Sequence, residues 1–154
     1  MLTTIISGGQ SGADIAGLNV AVQLGLKTGG TMPKGYKTLD GNRPEYAQQY
    51  GIVEHESDYY PPRTEANVKN SDGTVRFALN WNSRGEKCTK KYIDKHSKPY
   101  FDIDLRNPPD TKEFRAWLFT NNIIILNVAG NHESISNIGS IYDLVFDYLI
   151  KALS

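Results

Sequence analysis

The residues best suited to chemistry stand near the N-terminus, where a short β-branched run leads into a glycine-rich polar loop. Leu2–Ile6 is followed by Ser-Gly-Gly-Gln-Ser-Gly-Ala-Asp at residues 7–14, and an apolar helical pattern begins at Ala13. Glycines let a backbone approach its ligand closely, and the free N–H groups at the start of a helix attract anions. The segment therefore predicts a site for a phosphate or another oxyanion. The expected donors are the N–H groups of Gly8, Gly9, Gln10 and Ser11.

Two familiar phosphate-binding loops do not match this segment. A Walker loop requires a Lys followed by Ser or Thr, whereas Ala13 and Asp14 follow Gly12. The dinucleotide fingerprint requires Gly-x-Gly-x-x-Gly and an acidic residue about 20 residues later. The glycines stand instead at 8, 9 and 12, and Lys27–Thr31 contains no acid. An ordinary NAD-dependent dehydrogenase is therefore not expected.

Alternating strand and helix patterns position this loop and two others. The predicted strands are Leu2–Ile6, Thr74–Leu79, Pro99–Ile103 and Ile123–Val128, with a short strand near Ile52–Glu54. The predicted helices are Ala13–Leu24, Lys87–His96, Thr111–Phe119 and Ile138–Leu153, with a helical turn around Thr64–Lys69. The region Gly25–Asn70 fits the rhythm least well and is expected to be rich in loops. The alternation predicts an α/β fold in one domain, with a mostly parallel sheet and helices on both faces.

Three predicted strands run into glycine-bearing polar loops, and parallel strands place their carboxyl ends at one edge of the sheet. These loops follow the strands at Leu2–Ile6, Thr74–Leu79 and Ile123–Val128. Lys34 and Arg63, from the loop-rich region, are expected to add positive charge. The candidate ligand-binding residues are Ser7, Gly8, Gly9, Gln10, Ser11, Gly12, Asp14, Lys34, Arg63, Arg84, Gly85, Thr89, Gly130, Glu133 and Ser134.

Composition excludes several classes of partner. The 154 residues include 17 basic and 17 acidic side chains, so no net charge attracts nucleic acid or an anionic membrane. Cys88 is the single cysteine, which excludes an internal disulfide and fits a reducing cytoplasm. No second histidine stands at ligand spacing from His132, so a metal site is not expected. The frequency of homodimers among oligomeric proteins favours that state.

A longer ordered set of residues carries a family resemblance that spans the chain. The set comprises Ile6–Asp14, Gly29-Gly30, Pro33-Lys34-Gly35, Asp40-Gly41, Tyr60, Arg63-Thr64-Glu65, Asn67-Val68, Ser71–Thr74, Lys98-Pro99, Asn127–Gly130 and Glu133-Ser134. With these residues the chain resembles the molybdenum (molybdenum-cofactor) carrier family, a circularly permuted relative of the lysine decarboxylase-like and DprA-like Rossmannoid proteins. The resemblance implies a Rossmann-like fold and a phosphate-bearing pterin or nucleotide-like ligand, with the molybdenum cofactor as first candidate.

The chain departs from the family pattern at three places. Ile15 stands where the family usually has a basic residue, and Thr31-Met32 replaces Trp-Cys before Pro-Lys-Gly. Ser83-Arg84-Gly85 occupies the region where the family carries Gly-Gly-(Ser/Thr). A guanidinium binds phosphate through two parallel hydrogen bonds, so Arg84 is a candidate to replace the missing charge.

Three functions remain open from the sequence. The first is a binding or carrier protein, in which Asp14 and the Gly130–Ser134 loop hydrogen-bond the polar ring or sugar of the ligand. The second is a nucleotide-processing hydrolase of the phosphoribohydrolase type, with Asp14 or Glu133 as general base, or a nucleotide sensor. Hydrolytic Rossmannoids carry Pro-Gly-Gly-x-Gly-Thr, which is missing here, so catalysis has less support. The third is a protein–protein module with an idle pocket.

Overall fold

The computed structural model describes all of residues 1–154, with strands and helices alternating along the chain. The strands are β1 (Thr4–Ile6), β2 (Lys27–Gly29), β3 (Thr31–Met32), β4 (Lys37–Thr38), β5 (Gly41–Asn42), β6 (Val53–Glu54), β7 (Gly73–Ala78), β8 (Tyr100–Asp104), β9 (Ile125–Gly130), β10 (Ile135–Ser136) and β11 (Gly139–Ser140). The helices are α1 (Ala13–Gln23), α2 (Tyr46–Tyr50), α3 (Tyr60–Lys69), α4 (Arg84–His96), α5 (Thr111–Thr120) and α6 (Ile141–Leu153). None of these helices combines the length and apolar character needed to cross a membrane.

Five parallel strands form the central sheet in the order β2-β1-β9-β7-β8. Strand β2 pairs with the outer side of β1, and β8 pairs with the outer side of β7. Strand β9 lies between β1 and β7 at the centre of the sheet. The connections that follow β1 and β7 therefore run toward opposite edges of the sheet. Ligands of open α/β sheets bind in a crevice at the carboxyl ends of the strands where connections diverge in this way. The fold prediction is therefore confirmed, and the crevice lies where the three polar loops were expected.

The two faces of the sheet are covered by chemically different layers. Helices α1, α5 and α6 pack on one face over a core of 18 buried apolar residues, which includes Phe77, Leu126 and Phe114. Helices α3 and α4 pack against each other and contribute no residue to that core. Alternate side chains of a strand point to opposite faces, so Thr74, Arg76 and Asn127 lie opposite the apolar core. The face of the sheet covered by α3 and α4 is therefore lined by buried polar side chains.

Several elements differ in extent from the sequence prediction, each for a physical reason. The strand β2 is a three-residue edge strand whose Lys-Thr-Gly sequence has no apolar pattern, and only its pairing with β1 defines it. Helix α3 is ten residues long, because Pro61 and Pro62 fall in its first turn, where a missing N–H breaks no helical hydrogen bond. Helix α6 begins at Ile141, three residues later than predicted, because β10 and β11 form a hairpin before it.

Two helical glycines give opposite predictions for substitution by alanine. A Cβ at Gly17 in α1 would lie 2.7 Å from the Cβ of Val128 on β9, whereas a Cβ at Gly85 in α4 would meet nothing within 4 Å. We expect Gly17→Ala to lower the free energy of unfolding by about 1–3 kcal/mol through overpacking. Gly85→Ala is the matched control and should raise it by up to about 1 kcal/mol through helix propensity. Urea unfolding monitored by circular dichroism measures both. Equal stabilisation of the two variants would contradict this packing of α1 on β9.

Candidate functional site

A small cavity lies at the carboxyl ends of the central strands, between the sheet and helices α3 and α4. Its volume is about 20 Å³, and its walls are formed by Gly8, Asp14, Arg63, Thr64, Asn67, Thr89, Asn127, Val128 and Ala129. A cavity needs about 10–15 Å³ to hold a single water molecule, so the space admits little more than one. The structure thus brings together Gly8, Asp14, Arg63 and Thr89 from the sequence-predicted set.

The carboxylate of Asp14 is the anionic group of the cavity wall. Asp14 is the second residue of α1, and its side chain is only 7% exposed. Its Oδ2 accepts a hydrogen bond from the N–H of Gln10 at 3.2 Å, and the Gly8 N–H also faces the carboxylate. Burial raises the pKa of Asp14 to about 6, against the opposing influence of the Arg63 charge and these two N–H groups. The carboxyl group therefore titrates close to neutrality.

The N–H groups of the glycine loop are directed at the loop itself. The N–H of Gly9 donates to Ser7 Oγ at 3.2 Å, and the N–H of Ser11 donates to Gln10 Oε1 at 3.3 Å. The N–H of Gln10 donates to Asp14, as described above. Asp14 thus holds one of these N–H groups, and the side chains of Ser7 and Gln10 hold the other two. A phosphate would have to displace these acceptors to use the same N–H groups.

The guanidinium of Arg63 lies directly on the glycine loop. Its Nη1 is 3.7 Å from Asp14 Oδ2, and the side chain is 14% exposed. A Cβ at position 8 would lie only 1.8 Å from this Nη1, so Gly8 provides the space that the guanidinium fills. The Nε of Arg63 is buried and has no hydrogen-bond partner. A buried cationic donor without a partner is costly, and its presence points to an acceptor that a ligand supplies.

Glu86 is a second buried carboxyl group, and the sequence-predicted set does not contain it. Its Oε2 accepts from Asn131 Nδ2 at 3.1 Å, while its Oε1 is buried without a partner. Burial raises the pKa of Glu86 to about 7, and the charge of Asp14 adds to the increase. The spacing Ser83-x-x-Glu86 is that of a helix capping box, and Ser83 Oγ does accept the N–H of Glu86 at 3.2 Å. The capping pattern gave no sign that this carboxyl would be buried.

Two asparagines of the cavity wall belong to the residues that carry the family resemblance, although the sequence does not predict them as site residues. Asn67 clamps α3 to β3, since its Oδ1 accepts the N–H of Thr31 at 2.8 Å and its Nδ2 donates to the Thr31 carbonyl at 2.9 Å. Asn127 Nδ2 donates to Thr74 Oγ1 at 3.2 Å. A polar residue in the otherwise apolar run Ile123–Val128 was the available sequence signal for Asn127.

Other members of the predicted set support the loops and do not line the cavity. The carboxylate of Glu133 accepts three backbone N–H groups, those of Ser134, Ile141 and Tyr142, and so holds the start of α6. A Cβ at Gly12 would lie 2.6 Å from the Glu133 nitrogen, and one at Gly130 would lie 2.1 Å from the Phe77 carbonyl oxygen. Four more predicted residues are exposed at the surface, namely Lys34, Arg84, Gly85 and Ser134.

The burial of Glu86 predicts a pH-dependent stability difference between the wild type and Glu86→Gln. A carboxyl whose pKa is higher in the folded state binds protons preferentially there, so it favours folding more strongly as the pH falls from about 7 toward 4.5. Gln is neutral throughout. We expect the melting temperature of Glu86→Gln minus that of the wild type to be larger at pH 8 than at pH 5.5.

The expected change in that difference is about 1–2 kcal/mol, or roughly 2–6 °C. Differential scanning calorimetry at the two pH values measures it, and groups common to both proteins cancel in the subtraction. Glu56→Gln is the matched control, because an exposed side chain loses little hydration on folding. A difference for Glu86→Gln that stays constant between the two pH values would contradict the role assigned to burial.

Comparison with known proteins places this chain in a family. Residues 5–153 match the circularly permutated YpsA SLOG family. The chain is similar to a crystal structure from Syntrophus aciditrophicus SB, the "Putative molybdenum carrier protein", with 32% sequence identity and a TM-score of 0.88. That similarity covers 99% of this chain and 96% of the other. No curated protein matches significantly. The near-complete matches to the family and to this structure confirm the resemblance found in the sequence, and the chain belongs to the circularly permutated YpsA SLOG family.

Proposed function

We propose that this chain is a binding or carrier protein for a small molecule with a phosphate or comparable oxyanion, and that Arg63 contacts this group. The unpartnered, buried Nε of Arg63 is the observation that carries the proposal. Thr64 and Thr89 donate their hydroxyl hydrogens to the carbonyls of Tyr60 and Gly85, so Arg63 is the main free donor in the wall. An anionic acceptor would satisfy it with charge-assisted hydrogen bonds.

A phosphorylated pterin or nucleotide-like molecule is the proposed ligand, with the molybdenum cofactor as the first candidate cargo. The family resemblance and the name of the structural neighbour support this choice. The donor chemistry of Arg63 fits the phosphate of such a molecule, but a cavity of about 20 Å³ does not hold a pterin ring. The ring would therefore lie outside the cavity, and Arg63 would move off Gly8 as the phosphate enters.

A nucleotide-processing hydrolase is the second candidate function, and the position of Asp14 favours it. A general base needs a pKa near the working pH and access to the reacting proton. Asp14 has a pKa of about 6 and lines the cavity, whereas Glu133 lies outside the cavity wall and accepts three backbone N–H groups. Hydrolysis of nucleoside monophosphates that is lost in Asp14→Asn would support this function.

A cytoplasmic location, a homodimer and the absence of nucleic-acid and membrane partners remain predictions of the sequence.

A panel of candidate ligands tests the binding function through thermal stability. The panel contains the molybdenum cofactor under anaerobic conditions, molybdate, and adenine and guanine nucleotides. A ligand at 100 times its dissociation constant adds about 2.7 kcal/mol, which should raise the melting temperature by roughly 5–10 °C. A shift with the cofactor alone would support the carrier function. A shift with nucleotides alone would favour a sensor or hydrolase, and no shift with any ligand would contradict the proposal.

Substitution of Arg63 tests the proposed contact directly. We expect Arg63→Gln to weaken binding of the stabilising ligand by about 10- to 100-fold, the effect of losing a hydrogen bond to a charged group. Arg63→Lys should retain part of the affinity, since it keeps the charge but loses the planar pair of donors. Arg115→Gln on α5 is the control, because that helix packs on the other face of the sheet. Isothermal titration calorimetry measures the affinities, and unchanged affinity in Arg63→Gln would contradict the contact.

A further inference from the structure

The wall of the cavity contains one carboxylate, Asp14, and one cation, Arg63, while Glu86 is buried outside this wall. Asp14 lies 3.7 Å from Arg63, and Glu86 lies close enough for the charge of Asp14 to raise its pKa. Arg76 also faces Glu86 but is held by Asp102, through hydrogen bonds of 2.7 Å and 2.6 Å. The wall contributed by β9 consists of Asn127, Val128 and Ala129, which carry no charge.

The surroundings of Arg63 add one more cation. The guanidinium lies 5.3 Å from the centre of the Tyr60 ring, and Lys37 Nζ lies at the same distance from that ring. An anion that enters beside Arg63 therefore meets the carboxylate of Asp14, which lies 3.7 Å from the guanidinium. Two anions cannot share one guanidinium in a poorly hydrated site without a large electrostatic cost.

We propose that ligand binding at this cavity is coupled to the uptake of one proton by Asp14, as the ligand's oxyanion replaces this carboxylate as the counter-charge of Arg63. The proton comes from solvent, and no covalent bond of the ligand changes. This inference rests on the proposed function and adds its regulation by pH. Over some range of pH, Asp14 is ionised in the free protein and protonated in the complex. Within that range, the affinity for the ligand increases as the pH falls.

The probe is inorganic sulfate, whose two negative charges do not titrate between pH 6 and pH 8. Inorganic phosphate is unsuitable alone, because its own second ionisation falls between pH 6 and pH 8 and would contribute to the pH profile. Nuclear magnetic resonance titration of the Arg63 Nε–Hε signal gives the dissociation constant at each pH. We expect sulfate to bind the wild type on the order of tenfold more tightly at pH 6 than at pH 8.

Variants separate proton coupling from binding itself. Asp14→Asn should bind sulfate with an affinity nearly independent of pH, and at pH 8 as tightly as the wild type does at pH 6. Glu86→Gln should reduce the pH dependence without removing it. Arg115→Gln is the control and should keep the wild-type profile. Calorimetry on the wild type, in two buffers of different ionisation enthalpy, counts the protons taken up and does not depend on how any variant folds.

Each outcome decides between the two proposals. Tighter binding at pH 6, with proton uptake and a flat profile in Asp14→Asn, supports the coupling. Binding that is independent of pH in the wild type but lost in Arg63→Gln overturns the coupling and leaves the proposed function intact. Weaker binding at pH 6 also overturns the coupling. Failure of sulfate to shift the Arg63 signal at either pH overturns the Arg63 contact and the inference with it.

Discussion

The burial of the Asp14 carboxylate is the constraint on which the site depends. A desolvated carboxylate needs hydrogen-bond donors and a counter-charge, and the chain supplies them from the Gln10 N–H and from Arg63. These contacts fold the glycine loop inward and draw the guanidinium over position 8, where a side chain would collide with it. The glycine at position 8 and the position of the Arg63 side chain are thus linked to this buried charge.

The unequal faces of the sheet explain why this charge is tolerated. The layer formed by α1, α5 and α6 is apolar and supplies the core that stabilises the fold. The opposite layer contains separate buried hydrogen bonds, between Asn67 and the backbone of Thr31 and between Asn127 and Thr74. Polar groups that already have partners can surround a charged site without adding further desolvation cost. The apolar core and the polar cavity therefore lie on different faces of the same sheet.

The sequence predicted the fold well and the site only in part. The apolar run at Ile123–Val128 marked the central strand, and the alternation of strands and helices fixed the parallel topology. Glycines and polar residues after strands likewise identified the edge where the cavity lies. The direction of each hydrogen bond depends on side-chain rotamers and on contacts between distant segments. For that reason the engagement of loop donors by Asp14, the burial of Glu86 and the capping role of Glu133 were not predictable.

The contact between Asp14 and Arg63 has a consequence for the affinity of the proposed ligand. A ligand must first separate Arg63 from Asp14, so its net binding free energy is smaller than its contacts alone would give. An enzyme that retains a cofactor through many turnovers gains nothing from such competition. A protein that must release its cargo does gain, because Asp14 can return to Arg63 as the ligand leaves. The competition between these two anions for one guanidinium therefore favours transient binding, as the proposed carrier function requires.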